Sequence, residues 1–396
     1  MRSVARERLA RLCRAGALAV LLATVSACGS DDDHGSPATA YPRDATLRLN
    51  QIQVLGSHNS YHIQPRGRLF DSIMRIDPAL ARTLEYTHAP LPEQFDNQGI
   101  RQVELDVFAD PQGGLYANPS GLRLVPDSPA ANRPELRQPG FKVLHVQDLD
   151  FESRCWTFVE CLTIIKTWSD AHPEHVPMMV LVEAKDDALS GVGFVRPIPI
   201  GAAEFDALDA EIRSVFPARQ VITPDEVRGT HETLDAAIRT DGWPTLGAAR
   251  GRVLVTLDNE GSKRDAYIAG HPALRGRMMF TSSPPGEPEA AFVKLNDPIA
   301  DSDRIRQVVA DGFIVRTRAD ADTEQARTGD TTQREAALSS GAQFVSTDYP
   351  VPDSRFGTGY SVVIPGGTPA RCNPVSAPPD CGSADIERDA SRSLAP

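Results

Sequence analysis

Short apolar runs alternate with longer amphipathic stretches along the chain between residues 50 and 350. The runs predict strands, because each is brief, largely apolar and bounded by polar or turn-forming residues. They cover residues 52–56, 102–107, 142–146, 178–184, 252–257, 313–316 and 343–347, and the sixth strand in chain order lies near 291–295, with 278–281 as its competitor. The stretches 156–171, 202–215, 234–239, 301–311 and 332–340 have apolar positions at helical spacing.

This alternation predicts parallel strands that are joined by crossover helices. Eight such units in about 300 residues are typical of an α/β fold of the TIM (β/α)8 barrel type, and we predict that fold for residues 46–350. A doubly wound open sheet is the alternative, but no GxGxxG motif follows the first strand. Residues 351–396 are rich in Pro, Gly and Ser and are expected to form a C-terminal tail.

The N-terminal 27 residues have the features of a secretory signal peptide. Several arginines precede an apolar stretch at 17–25, which ends in small residues. The sequence Val25-Ser26-Ala27-Cys28 resembles a bacterial lipobox, so we expect Cys28 to be lipidated and residues 28–45 to form a flexible spacer. The chain would then be an exported lipoprotein of the bacterial cell envelope, periplasmic or at the outer membrane and cell surface, and tethered to a membrane surface. Plain secretion is the alternative.

Composition narrows the classes of protein further. The 396 residues carry a formal net charge of −12, and the absence of a Lys/Arg patch argues against a nucleic-acid partner. No run of about 20 apolar residues occurs beyond the N-terminus, which excludes a multi-span membrane protein. The sequence does not indicate an oligomeric state.

Four cysteines remain after Cys13 in the signal peptide and Cys28 are set aside. An even number in an exported chain indicates two disulfides, and pairing of neighbours is the simplest of three connectivities. It joins Cys155 to Cys161 and Cys372 to Cys381. A zinc site is the rival, but neither spacing is CxxC.

Polar or ionisable residues follow every predicted strand, where the active site of a barrel forms. Glu104 and Asp106 alternate on one strand, so both should project inward, and repulsion between them would be relieved by a cation, an Arg or a shared proton. Glu183, expected two strands away, adds a third carboxylate and Asn59 an amide oxygen. Such oxygen ligands suit a hard cation, Ca²⁺ or Mg²⁺. Salt-bridged carboxylates without a metal are the alternative.

Two histidines, His58 and His145, follow apolar strands and suit acid–base catalysis at the same rim. His62, His88, His172, His175, His231 and His271 are expected to be surface residues. Positive charge comes from Lys185, Lys294, Arg316 and Arg318. These side chains indicate an anionic substrate such as a phosphate, or they neutralise the acidic residues.

Four motifs, in the order of the strands, resemble the Ca²⁺-dependent phosphatidylinositol-specific phospholipase C family, a branch of the PLC-like phosphodiesterase barrels. They are LGSHNSYH (55–62), VELDVF (103–108), VLHVQDLD (143–150) and VLVEAK (180–185), and the segment 312–350 is similar to the last two barrel units of bacterial members. The long insert at 109–140 departs from the family pattern.

The resemblance implies a role for each matching residue. His58 and His145 would be the catalytic histidines, and Asn59, Glu104, Asp106 and Glu183 would be ligands of Ca²⁺, which is favoured over Mg²⁺. Lys185 and Arg318 would contact the phosphate or the inositol. The implied reaction cleaves phosphatidylinositol-type phospholipids to diacylglycerol and a cyclic or acyclic inositol phosphate. Two alternatives are a glycerophosphodiester phosphodiesterase on the same barrel and a surface lipoprotein that binds phosphate or lipid without catalysis.

Overall fold

The structure is a computed structural model that describes residues 41–190 and 193–387. The strands are β1 (Ile52–Ser57), β2 (Ile100–Phe108), β3 (Lys142–Val143), β4 (Met178–Ala184), β5 (Val221–Ile222), β6 (Val253–Leu257), β7 (Met279–Thr281), β8 (Phe292–Lys294), β9 (Ile314–Arg318), β10 (Phe344–Thr347) and β11 (Ala370–Cys372). The α-helices are α1 (Gly67–Ile76), α2 (Pro78–Thr83), α3 (Leu91–Asn97), α4 (Phe158–Ala171), α5 (Ala202–Val215), α6 (Pro224–Arg228), α7 (Leu234–Thr240), α8 (Leu246–Ala249), α9 (Gly261–Ile268), α10 (Ser302–Ala310), α11 (Glu324–Thr328) and α12 (Thr332–Ser339). Within the described ranges, no helix has the length and apolar character that a membrane crossing needs. The predicted signal peptide and Cys28 lie outside these ranges.

Parallel strands form the barrel in the order β1, β2, β4, β6, β7, β8, β9 and β10. Strand β10 returns to β1, where Phe344 lies opposite Val54. The seam between β7 and β8 is thinner, because it closes through the isolated parallel bridge of Ser282 with Phe292. The predicted TIM-type barrel is confirmed.

One predicted barrel strand is wrong. In the segment 142–146 only β3 is a strand, and it pairs antiparallel to the end of β2, with Val143 opposite Val107. The chain returns from β2 through the insert without a crossover helix, so it re-enters the sheet antiparallel. The barrel still has eight parallel strands because β7 is one of them. Both competitors for the sixth strand, 278–281 and 291–295, are therefore barrel strands.

The barrel strands are buried on both faces, as parallel sheets covered by helices are. Helix α4 shows how a covering helix is specified. Its N-cap Thr157 accepts a hydrogen bond from the backbone N–H of Glu160, and its apolar side turns Phe158, Leu162 and Ile165 into the core. The predicted disulfide Cys155–Cys161 is confirmed and ties the start of α4 to the segment before it, and Cys372–Cys381 is confirmed in the tail.

The insert at 109–140 folds against α1 and α2. It contains three short 3-10 turns, and its buried Ala117, Val125 and Leu136 form a satellite core with Leu69 and Ile73 of α1. The insert that contributes to this satellite core begins directly after the carboxyl end of β2. In the tail, β11 pairs antiparallel with the start of β1.

Three of the histidines that were expected at the surface are buried, namely His62, His88 and His175. His175 shows why, because its Nδ1–H donates to the Val176 carbonyl (2.6 Å) and its Nε2 accepts from the Ser169 hydroxyl (2.7 Å). A neutral imidazole is fully satisfied there. Sequence alone does not separate such a histidine from an exposed one in a loop.

His175 should make the protein acid-sensitive. Burial lowers its pKa to about 4, so the unfolded chain, with a pKa near 6.5, binds the extra proton first. Stability from this group is complete above pH 6.5 and is lost as the pH falls towards 4. We expect the free energy of unfolding to fall by about 2 kcal/mol more between pH 7 and 5 in the wild type than in His175→Gln. Denaturant unfolding at both pH values tests this, with exposed His172→Gln as the control, which should fall as the wild type does.

Candidate active site

Three carboxylates converge at the carboxyl end of β2 and β4. Glu104 and Asp106 lie on the same face of β2, as their alternation requires, and Glu183 on β4 is the direct partner of Asp106. One oxygen from each of the three lies within 4.8 Å of the others. The sequence indicated that Glu183 would lie two strands away from this pair. It lies on the neighbouring strand, because β3 is not part of the barrel.

Asn59 follows β1 beside this cluster. The Ser60 N–H donates to the Glu104 carbonyl (2.9 Å), and this bond brings the end of β1 against β2. Asn59 has a left-handed backbone (φ 45°), which asparagine tolerates better than most residues. Its Nδ2 donates to the Tyr86 hydroxyl (3.0 Å), and its buried Oδ1 has no hydrogen-bond partner.

The electrostatics of the cluster favour a bound cation. Both carboxylate oxygens of Asp106 are buried without a hydrogen bond, although Lys185 Nζ lies 3.3 Å from one of them. Burial raises the pKa of Asp106 well above its usual value, and the nearby Glu183 and Glu104 raise it further, against the opposing effect of Lys185. Burial also raises the pKa of Glu104 to about 7. Unpartnered oxygens at this density fit the donor set of Ca²⁺.

The four basic residues of the rim are each paired with acidic groups. Arg316 is almost fully buried and donates to Glu104 (2.5 Å), whereas Arg318 donates to Asp348 (3.1 Å). Lys185 lies between Asp106 and Glu183, at 3.3 and 3.4 Å. Lys294 donates to Asp258 (2.7 Å). Neutralisation of acidic residues, one of the two roles that the sequence allowed, is therefore present for all four.

His58 is held at the rim by an aspartate. Its Nδ1 lies 2.7 Å from Asp348 Oδ1, and because a carboxylate only accepts, Nδ1 carries the proton. Nε2 lies 3.4 Å from an Arg318 nitrogen and 3.8 Å from Glu104 Oε1. Burial, followed by the positive charge of Arg318, lowers the pKa of His58 to about 3. The imidazole is therefore neutral at pH 7, and its Nε2 lone pair faces the site with only the long hydrogen bond from Arg318.

His145 reaches the site from a tight turn after β3. The backbone N–H of His145 donates to the Asp150 carbonyl (3.2 Å), and its Nδ1 lies 2.7 Å from Asp150 Oδ2. Burial opposes the charge on Asp150, but His62 and the hydrogen bond from His145 lower the pKa of this carboxyl to about 2. Asp150 is therefore ionised, and Nε2 is the ring nitrogen of His145 that remains for chemistry.

Ring contacts connect the two histidines. Tyr86 lies 6.2 Å from His58 and stacks on His62 at 4.2 Å, and His62 meets His145 edge-on at 5.6 Å. The structure thus brings both predicted histidines and the predicted ligand residues to one rim.

Sequence reasoning left several partners of the site without a role. Asp348 is the polar residue that follows the strand predicted at 343–347, and Asp150 is the last residue of the VLHVQDLD motif. A carboxylate five residues after His145 was an available indication, because a short turn can return it to the imidazole. Tyr86 lies in a loop with no motif, and the sequence offered no indication of it.

Comparisons with known proteins agree with this geometry. The family model described as phosphoinositide phospholipase C, Ca²⁺-dependent, matches residues 47–374. No curated protein is significantly similar in sequence to the chain.

Among solved structures, a calcium-dependent phosphoinositol-specific phospholipase C from Pseudomonas sp. matches at 16% identity and TM-score 0.50, over 85% of this chain and 100% of that one. Its myoinositol complex matches at 17% and 0.50, over 85% and 99%. A Ca²⁺-dependent phosphatidylinositol-specific phospholipase C from Streptomyces antibioticus matches at 18% and 0.47, over 77% and 96%. The Pseudomonas matches support the barrel fold, and the family model covers most of the chain. The chain belongs to the Ca²⁺-dependent phosphoinositide phospholipase C family of enzymes.

Proposed function

We propose that the chain is a Ca²⁺-dependent phosphodiesterase that cleaves phosphatidylinositol-type phospholipids to diacylglycerol and a cyclic or acyclic inositol phosphate. One observation carries the proposal. Two histidines, each fixed at Nδ1 by an aspartate, stand at the rim where three carboxylates converge, two of them buried. Acid–base catalysis beside a cation site is the chemistry of phosphodiester cleavage.

The ligands of calcium would be Asn59, Glu104, Asp106 and Glu183. When bound, Ca²⁺ supplies positive charge that stabilises the phosphoryl oxygens and makes a nearby hydroxyl more acidic. The orphaned oxygens of Asp106 and Asn59 support this set.

The histidines divide the proton transfers between them. His58 is neutral, and its Nε2 has only a long contact with Arg318, so we assign it as the base that takes the proton of the inositol 2-hydroxyl as that oxygen attacks phosphorus. His145 is the acid that protonates the departing glycerol oxygen of diacylglycerol. Asp348 and Asp150 keep the reactive Nε2 atoms pointed into the site.

The four basic residues at the rim differ in how well they are placed to bind the phosphate and the head group. Arg318 is best placed, because it lies beside His58 Nε2 and is 14% exposed, whereas Arg316 is 1% exposed and held by Glu104. Lys185 and Lys294 are each less than one-fifth exposed. We assign Lys185, Lys294 and Arg316 mainly to balancing the charge of the acidic residues around the head group.

An apolar groove of about 530 Å³ supports a lipid substrate. Leu69 and Ile73 of α1 line one side, and Leu124 of the insert and Leu149 line the other. Leu149 directly precedes Asp150, the partner of His145, so the groove adjoins the catalytic turn. A glycerophosphodiester without acyl chains would have no use for such a surface.

Product identification tests the proposal. We expect ³¹P NMR to show inositol 1,2-cyclic phosphate or inositol phosphate released from phosphatidylinositol vesicles with Ca²⁺, and no turnover with a chelator. Release of glycerol phosphate from glycerophosphodiesters, with phosphatidylinositol left intact, would establish the glycerophosphodiesterase instead. No turnover of either substrate would leave a binding protein.

We also propose, from the sequence, that the enzyme is an exported lipoprotein of the bacterial cell envelope that reaches its substrate from the membrane surface. The lipobox-like sequence ending at Cys28 supports this. Labelling cells with radioactive palmitate should mark the wild type and leave Cys28→Ala unlabelled, and label in both would contradict it.

A further inference from the structure

His62 is a buried histidine whose two ring nitrogens both face acceptors. Its Nδ1 lies 3.1 Å from the Tyr86 carbonyl, and its Nε2 lies 2.8 Å from Asp150 Oδ2. A carboxylate only accepts, so the imidazole donates to Asp150 through Nε2, and this contact is the shorter of the two.

Asp150 depends on this contact for its orientation. The side chain is 1% exposed, and its Oδ1 is buried without a hydrogen-bond partner. Both side-chain hydrogen bonds of the carboxylate converge on Oδ2, from His62 at 2.8 Å and from His145 at 2.7 Å. Without His62, the carboxylate would keep His145 alone and could rotate to satisfy Oδ1.

The other histidine has an equivalent arrangement. Asp348 bonds His58 through Oδ1 and is held at Oδ2 by Arg318 (3.1 Å). In both pairs a second donor fixes the carboxylate that fixes the histidine. A permanent cation performs this task beside His58, and an imidazole performs it beside His145.

We propose that His62 is a positioning residue that fixes Asp150 and, through it, the reactive Nε2 of His145. This inference rests on the proposed function, in which His145 is the general acid. His62 itself is fully buried, so it offers a substrate no accessible surface. Its removal should therefore slow the proton transfer and leave substrate binding nearly unchanged.

Two neutral variants separate the two hydrogen bonds of His62. The amide nitrogen of glutamine occupies the place of imidazole Nε2, and that of asparagine the place of Nδ1. His62→Asn thus keeps the bond to Tyr86 and loses the bond to Asp150, whereas His62→Gln keeps a donor for Asp150. We expect His62→Asn to lower kcat about 10–100-fold, the effect of one hydrogen bond to a charged group, with KM within about twofold. His62→Gln should recover most of that loss.

The decisive measurement is kcat for phosphatidylinositol cleavage by His62→Asn in three backgrounds. We expect the full loss in the wild type and in His58→Ala, and no further loss in His145→Ala, because the effect passes through His145. An equal loss in all three backgrounds, or no loss in the wild type, would overturn the positioning role. So would a loss in His62→Gln as large as in His62→Asn.

Two controls complete the design. His175→Asn removes a buried imidazole away from the rim and should lower stability without changing kcat, so a matching fall in kcat would point to a general folding effect and against the proposal. Full activity of His145→Ala would instead refute the assigned acid, which distinguishes failure of the proposed function from failure of this inference.

Discussion

His145→Ala is expected to slow the release of diacylglycerol from phosphatidylinositol about 10²–10⁴-fold, the usual contribution of a positioned general acid. The leaving oxygen is an alkoxide unless it is protonated as the bond to phosphorus breaks. Nε2 of His145 is the ring nitrogen left free by Asp150, and it would supply that proton. The effect should fall on kcat, since the substrate still binds.

A change of leaving group separates the two histidines. In a p-nitrophenyl ester of inositol phosphate the leaving group is p-nitrophenolate, which departs without a proton, so His145→Ala should regain most of its lost rate on that substrate. His58→Ala should lose about 10²–10⁴-fold on both substrates, because the attacking hydroxyl still needs a base. Equal recovery of both variants would contradict the assignment, and recovery of His58→Ala alone would reverse it. His271→Ala, a substitution in a loop outside the rim, is the matched control and should retain the wild-type rate on both substrates.

The barrel could be predicted from the sequence because each strand and helix is indicated by the pattern of apolar residues within its own segment. Strands such as Met178–Ala184 are buried on both faces and read as continuous apolar runs, and the helices between them have a regular spacing of apolar positions. The barrel strand predicted at 142–146 is wrong because this local pattern is not sufficient. The segment is apolar, but its direction in the sheet is set by the insert before it, and no local pattern encodes the direction of a strand.

The candidate site was predictable where its residues share a strand or a motif. Glu104 and Asp106 face one way because a strand alternates, and this holds without any tertiary information. The partners of the histidines are different. Asp348 is 290 residues from His58, and the Asp150 carboxylate is shared with His62, 88 residues away. Such pairings depend on how the barrel closes and on how a loop folds back.

The burial of individual histidines could not be predicted from the sequence either. His62, His88 and His175 were expected at the surface, yet each is buried and hydrogen-bonded. Histidine has two ring nitrogens that adapt to nearby donors and acceptors, so composition and periodicity indicate neither its burial nor its role. For His62 in particular, only the position of the Asp150 carboxylate gives the residue a function.

Asp106→Asn is expected to abolish the stabilisation of the protein by calcium. Of the three converging carboxylates, Asp106 has both oxygens buried without a hydrogen bond, so it has the most to gain from a cation. Binding to the folded state alone stabilises it by about 2.7 kcal/mol when the free ion is at 100 times its Kd. The wild type should therefore melt several degrees higher in Ca²⁺ than in chelator, and Asp106→Asn should show no difference.

Without calcium, the same variant should be at least as stable as the wild type. The order of stability of the two proteins would thus differ with and without calcium, which makes the test specific for this site. Burial and the charges of Glu183 and Glu104 disfavour an ionised Asp106, as the raised pKa of its carboxyl records. A neutral amide removes that cost in the calcium-free protein. Asp258→Asn is the matched control, because Asp258 lies at the same rim but is paired with Lys294 outside the three-carboxylate cluster. It should keep the calcium-dependent shift, whereas loss of the shift in both variants, or its survival in Asp106→Asn, would place the cation elsewhere.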